Sequence, residues 1–206
     1  MKTIFILIFL YSYTSNCSSQ QGWLQQNSGS LRDLKSVSFI NLETGFCVGN
    51  SGTILRTTNG GKNWIDNPIG LTKNLNAISF TPNKTGFIVG DSGCILKTTD
   101  IGNSWIALNV DAMSITTIYV INDTIIYCNE ADGIPNKFLK TTNAGINWIV
   151  GTPVGTVTSM SFINANTGWA AVVWTGDELF KTTDGALTWE RQFVSAFGSN
   201  IRSVFY

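Results

Sequence analysis

The 206-residue chain contains no histidine. Its absence removes the commonest general base and the commonest transition-metal ligand, so any catalysis has to run on carboxylates, lysine or tyrosine. Charge is scarce too: only 13% of residues are charged, with 13 basic side chains balancing 13 acidic ones. Nucleic-acid binding and polybasic attachment to a membrane surface both need a positive field, and neither fits this chain. Cysteine is too sparse for a disulfide framework, since Cys47, Cys94 and Cys128 form an odd set in strand-like runs and read as small buried hydrophobes. Beyond the first residues no apolar run is long enough to span a bilayer, so no transmembrane segment is expected in the mature chain. Nothing calls for a cofactor.

What is plentiful is aromatic residues (7 Trp, 12 Phe, 5 Tyr) and glycine (20), a composition suited to short strands joined by tight turns. The N-terminus reads as an export signal over residues 1–19. Lys2 opens it, Ile4 to Tyr11 form its short apolar core, and a polar stretch from Ser12 to Ser19 follows. The expectation is an exported, water-soluble protein of residues 20–206. A lipid anchor on Cys17 is the alternative to simple cleavage; it is not favoured, because Thr14 and Asn16 sit where acylation signals prefer an aliphatic and a small residue.

The chain then repeats itself. SVSFINLETGFCVGNSGTILRTTNGGKNW runs from Ser36 to Trp64 and AISFTPNKTGFIVGDSGCILKTTDIGNSW from Ala77 to Trp105. A looser copy spans Thr117 to Trp148, and a fourth runs from Ser159 to Trp189. The closing tryptophans are 41, 43 and 41 residues apart. Within a copy, β-rich runs alternate with Thr-Gly, Asn-Ser-Gly and Asn-Gly-Gly turns, which supply the positive φ that hairpins need. Four short strands per 40 to 45 residues, repeated, predict an all-β propeller of four-stranded antiparallel blades. The repeats cover about 31–67, 72–108, 113–150 and 155–194, and a fifth begins at 199–206, where Ser203-Val204 repeats Ser36-Val37. Trp23 lies 41 residues before Trp64, in phase with the repeat, and would supply an outer strand to the last blade. The expectation is an incomplete propeller belonging to a longer protein.

Each copy ends in S/T-x-D/N-x-G-x-x-W: Thr57, Asn59, Gly61, Trp64; Thr98, Asp100, Gly102, Trp105; Thr141, Asn143, Gly145, Trp148; and Thr182, Asp184, Trp189 with Ala186 at the glycine position. This resembles the Asp-box, or BNR repeat, of sialidases and many other propellers. The Asp or Asn can accept backbone N–H bonds inside the turn, the Thr hydroxyl adds another, and the Trp can cover the hairpin, so the box reads as a structural clasp. A Ca²⁺ site is disfavoured because two of the four boxes carry Asn. A basic residue precedes every box: Arg56, Lys97, Lys140 and Lys181. Two readings stand, a basic collar for an acidic partner or aliphatic stems packed along the blade with the charge over a Trp face; the second is preferred.

The fuller pattern, SFxxxxTGFxVGxxGxILKTTDGGxxW, resembles the photosystem II assembly and stability factor propellers and their relatives in non-photosynthetic bacteria. The likeness covers about Leu31 to Tyr206 and implies an exported assembly scaffold; a role in photosynthesis does not follow from the motif. In such propellers the ligand face carries the loops between second and third strands, opposite the boxes. Its candidates here are Glu130, Asp132, Trp174 and Asp177, with Asn50 and Asp91 read as ordinary turn residues. The function expected is non-catalytic binding of a protein partner in the cell envelope or outside the cell, with a glycan as alternative ligand. The runner-up is an Asp-box glycoside hydrolase of sialidase or xyloglucanase type. Against a sialidase, the only arginines are Arg32, Arg56, Arg191 and Arg202, and no Phe-Arg-Ile-Pro signature precedes the boxes.

Overall fold

A computed structural model describes residues 26–108, 110–131, 136–152, 155–173, 177–192 and 203–204. The leader at 1–19, Trp23, and the C-terminal segment apart from 203–204 lie outside the described residues. Among the described residues, four separate four-stranded sheets follow one another, each an antiparallel meander in sequence order. Blade one comprises β1 (Leu34–Phe39), β2 (Gly45–Gly49), β3 (Ile54–Thr57) and β4 (Ile65–Asp66). Blade two comprises β5 (Leu75–Phe80), β6 (Gly86–Gly90), β7 (Ile95–Thr98) and β8 (Ile106–Ala107). Blade three comprises β9 (Ile115–Val120), β10 (Ile126–Glu130), β11 (Phe138–Thr141) and β12 (Ile149–Gly151). Blade four comprises β13 (Thr156–Phe162), β14 (Gly168–Val173), β15 (Asp177–Thr182) and β16 (Glu190–Gln192). The first strands pack successively, β1 on β5, β5 on β9 and β9 on β13, and residues from all four line an axial cavity of about 300 Å³. The architecture is that of propeller blades, as the repeat predicts.

The second strands of blades one to three are buried along their whole length, and those of blades two and three lie between neighbouring sheets. Alternate residues therefore serve different interfaces, which is why these strands read as apolar runs rather than as apolar–polar alternation. Phe46, Val48 and Ile54 of blade one meet Leu75, Ile78, Ile88 and Leu96 of blade two. Phe87, Val89 and Ile95 meet Ile115, Ile126, Cys128 and Leu139 of blade three. Tyr127 and Phe138 meet Val157, Met160, Phe162 and Ala170 of blade four. Beyond blade four, Ser159 Oγ accepts the Val204 N–H at 3.1 Å, much as Ser36 Oγ accepts the Ile78 N–H at 3.2 Å between blades one and two. The three core cysteines are buried free thiols, as expected.

The Phe-to-Gly spacing of the repeat has a steric origin. Phe39, Phe80 and Phe162 end first strands and stand opposite Gly45, Gly86 and Gly168. The ring covers the glycine so closely that a Cβ at Gly86 would lie 2.3 Å from Phe80 Cε1. The looser third copy changes both partners, pairing Val120 with Ile126. Introducing Gly86→Ala should therefore cost about 1–3 kcal/mol by overpacking. In a double-mutant cycle read by urea unfolding, Gly86→Ala with Phe80→Val should be less destabilising than the sum of the singles by about 1 kcal/mol. Strict additivity would refute ring-on-glycine packing as the reason for the pairing.

Candidate functional site

The four boxes share one geometry. Thr98 donates its hydroxyl proton to Asp100 Oδ1 at 2.7 Å and accepts the Gly102 N–H at 2.9 Å, while Asp100 Oδ1 also accepts the Ser104 N–H at 2.9 Å. The same three bonds join Thr57, Asn59, Gly61 and Asn63; Thr141, Asn143, Gly145 and Asn147; and Thr182, Asp184, Ala186 and Thr188. Two successive residues take positive φ in each turn, Ile101 (59°) with Gly102 (72°) in the second box and Gly185 (73°) with Ala186 (68°) in the fourth. The Trp does more than cover its own hairpin. Trp105 makes a T-shaped contact with Phe46 of the preceding blade, and Trp189 makes one with Phe138 of blade three.

Each basic residue before a box lies over an aromatic ring of its own blade. Arg56 sits 5.6 Å from the Phe46 centroid, Lys97 5.8 Å from Phe87, Lys140 5.6 Å from Tyr127 and Lys181 5.6 Å from Trp169. These are the cross-strand partners on the second strand, so register supplies the ring and only Lys181 meets a tryptophan. The charge then reaches toward the next blade: Arg56 donates to Asn103 Oδ1 at 2.8 Å. Burial lowers the Lys140 pKa, and the facing Asp184 carboxylate partly offsets that.

On the opposite face, a short clasp ties the loop entering each of the first two blades to the turn between its second and third strands. Asn50 Nδ2 donates to Asp33 Oδ2 at 3.1 Å; in blade two the chemistry is swapped, with Asn74 Nδ2 donating to Asp91 Oδ2 at 2.9 Å. Asp91 also accepts from Asn76 Nδ2 and Ser114 Oγ, and Lys35 donates to Asn76 Oδ1, so one carboxylate links three blades. Burial opposes its ionisation, but the bonds from Asn76, Ser114 and Asn74 and the Lys35 charge outweigh it and hold Asp91 below the usual carboxylate range. Blade three replaces the clasp: Ala131 stands where Asp91 stood, its N–H bonding Ser114 O, and Glu130 Oε1 takes the Met113 N–H.

Of the predicted face, Glu130 is thus a buried carboxylate at the blade-three corner. Asp132, Trp174 and the Asp177 side chain lie outside the described residues, though Asp177 opens β15 opposite Val173. Sequence reasoning missed Asp33, Lys35, Asn74, Asn76 and Ser114. The available signal was their phase, since Asp33 and Lys35 precede Asn74 and Asn76 by one repeat of 41 residues. Among the described residues, no group of three or more acidic or cysteine side chains is placed to hold a metal ion, and no helix is long and apolar enough to cross a membrane.

Known proteins share this fold. The family model described as photosynthesis system II assembly factor YCF48 matches residues 15–157. The solved structure of YCF48 bound to a D1 peptide aligns with a TM-score of 0.68 at 22% identity, over 84% of this chain and 56% of that one. YCF48 from Cyanidioschyzon merolae aligns at 0.64 and 18% identity, over 80% and 57%. A GH74 enzyme from Niastella koreensis also aligns at 0.64, with 22% identity, over 76% of this chain but 29% of that one. The chain spans just over half the length of the YCF48 structures, and at these identities the structural likeness shows the fold. No curated protein matches the chain.

The boxes carry a pH signature. Hydrogen bonds from the Ser104 hydroxyl and N–H and from Thr98 bring Asp100 down to about 2, and those from Thr188, Thr182 and Leu187 do the same for Asp184, against an ordinary 3.8. A carboxyl whose folded pKa is depressed adds stability above its unfolded pKa, and that contribution is lost as pH falls through the folded value. Thermal midpoints should accordingly drop between about pH 4 and about pH 2. The Asp100→Asn, Asp184→Asn double variant should show a shallower drop, since Asn59 and Asn143 already hold their boxes without titrating. An unchanged slope would mean that the boxes do not drive acid unfolding.

Proposed function

The chain belongs to the photosynthesis system II assembly factor YCF48 family, and from that membership we propose that it is an exported, non-catalytic propeller scaffold whose loop face holds a segment of a partner protein. The observation that carries this reading is the family match over residues 15–157. The peptide seen on a relative of this fold supports it, since YCF48 has been solved bound to a D1 peptide. The apolar leader from Ile4 to Tyr11 supports a partner in the cell envelope or outside the cell, with cleavage favoured over a lipid anchor at Cys17.

The physical character of the two faces agrees with recognition on one side. Box geometry is constant from blade to blade, whereas the turns between second and third strands diverge, and loops that vary on a rigid frame are where binding concentrates. The second reading, a glycoside hydrolase, draws on the likeness to GH74 enzymes. Such an enzyme needs one carboxyl protonated as general acid, and Asp91 is held ionised by three hydrogen bonds.

The two readings separate cleanly in one experiment. Tagged full-length protein recovered from its own cells should bring down an envelope or secreted protein and should release no sugar from xyloglucan or sialylated glycans. Turnover that Asp91→Ala or Asp177→Ala abolishes would overturn the scaffold reading.

A further inference from the structure

In the first two blades the second strand ends in glycine for a steric reason. A Cβ at Gly49 would lie 2.1 Å from Asp33 O, and one at Gly90 would lie 2.2 Å from Asn74 O. Blade three places Glu130 there instead, opposite Ile115, with the same ladder irregularity that precedes Gly49 and Gly90 in blades one and two. Glu130 is only 1% exposed. Its Oε1 holds the Met113 N–H, but its Oε2 is buried without a hydrogen-bond partner.

A cation stands close by and does not fill the vacant acceptor. Lys137 faces Glu130 across the ladder, its carbonyl accepting the Glu130 N–H at 2.9 Å. Its ammonium turns away to Asp111, 2.8 Å from the carbonyl oxygen and 3.7 Å from the carboxylate. Asp111 is fully exposed, so that pair is screened and easily displaced. A buried carboxylate oxygen without a donor is costly, and such groups persist where a ligand, an ion or catalysis gives them a role.

We infer that Glu130 is the anchor for a cationic group, an ammonium or guanidinium, carried by the protein segment that the loop face holds. This inference rests on the scaffold reading and names its partner chemistry. Asp111 draws the incoming basic side chain to the corner, and Glu130 Oε2 receives it where water is excluded and a charged pair is held longest. Basic residues elsewhere on the segment contact only exposed carboxylates and contribute little.

The test uses the full chain and a short capped peptide of alternating glycine and arginine, with a glycine–glutamine peptide as the neutral control, followed by calorimetry. The arginine peptide should bind and the glutamine peptide should not. Glu130→Gln, which keeps an acceptor for the Met113 N–H, should weaken binding by about 30-fold or more while leaving the melting midpoint at or above that of the wild type. Glu43→Gln, on the box face, should change nothing. In the wild type, the Met113 amide resonance should move on titration, a readout independent of how any variant folds. Unchanged affinity in Glu130→Gln, equal binding of the neutral peptide, or a silent Met113 amide each overturns the inference. If the protein recovers a cellular partner whose binding ignores Glu130, the scaffold reading survives and this one fails. Recovery of no partner fails the scaffold reading itself.

Discussion

A four-stranded blade of about 40 residues has two apolar faces and can bury neither by itself. Everything else in the structure follows from that constraint. The second strand must be apolar on both sides, and β2, β6 and β10 are buried along their whole length. Stability therefore resides between blades as much as within them, which is the nearest-neighbour energetics expected of repeat proteins. The aromatic contacts make the point locally: Phe46 stacks on Phe80 of the next blade at 5.2 Å, and Tyr127 stacks on Phe162 at 4.0 Å.

The polar groups are arranged around the same need. At the outer end of each blade the box fixes a tight turn by saturating backbone donors with one hydroxyl and one Asx oxygen, so the Trp can be held against the neighbouring blade. The hydroxyls involved are themselves buried, and each both donates and accepts. Removing one would strand a buried amide, which costs more than the bond alone is worth. The cation before the box extends the scheme, with its charged group over the second-strand ring. Arg56 shows the full sequence, lying over Phe46 and bonded to Asn103.

Much of this was legible from residue order. Turn chemistry and box spacing marked four strands in each copy, but a Trp face beneath the cation is found only for Lys181, the other three lying over Phe46, Phe87 and Tyr127. The ring differs because sequence suggests proximity along the chain, while cross-strand register puts Arg56 opposite Phe46 and not beside Trp64. The swapped Asp33–Asn50 and Asn74–Asp91 clasps were hidden for a related reason. Their partners are 17 residues apart, and neither residue type marks a clasp without the other. Glu130 could be placed on the loop face from sequence, but its burial could not. Its glycine counterparts in blades one and two leave no room for a side chain, and blade three carries the glutamate at the same register step of an equally irregular ladder.

Asn and Asp boxes also answer what the motif is for. Asn59 and Asn143 accept the same N–H as Asp100 and Asp184, at 3.0 and 2.9 Å against 2.9 and 3.0 Å. The shared requirement is an acceptor oxygen, not a charge, so the box is under the control of the fold. Loop-face residues follow the opposite logic. Donor and acceptor exchange places between blades one and two, the pair disappears in blade three, and a buried carboxylate with a free oxygen takes its place. A frame that needed only stability would repeat the clasp as faithfully as it repeats the box. The box keeps its three bonds in all four blades while the loop-face clasp changes between blades one, two and three, and loops that vary on a rigid frame are where binding tends to concentrate.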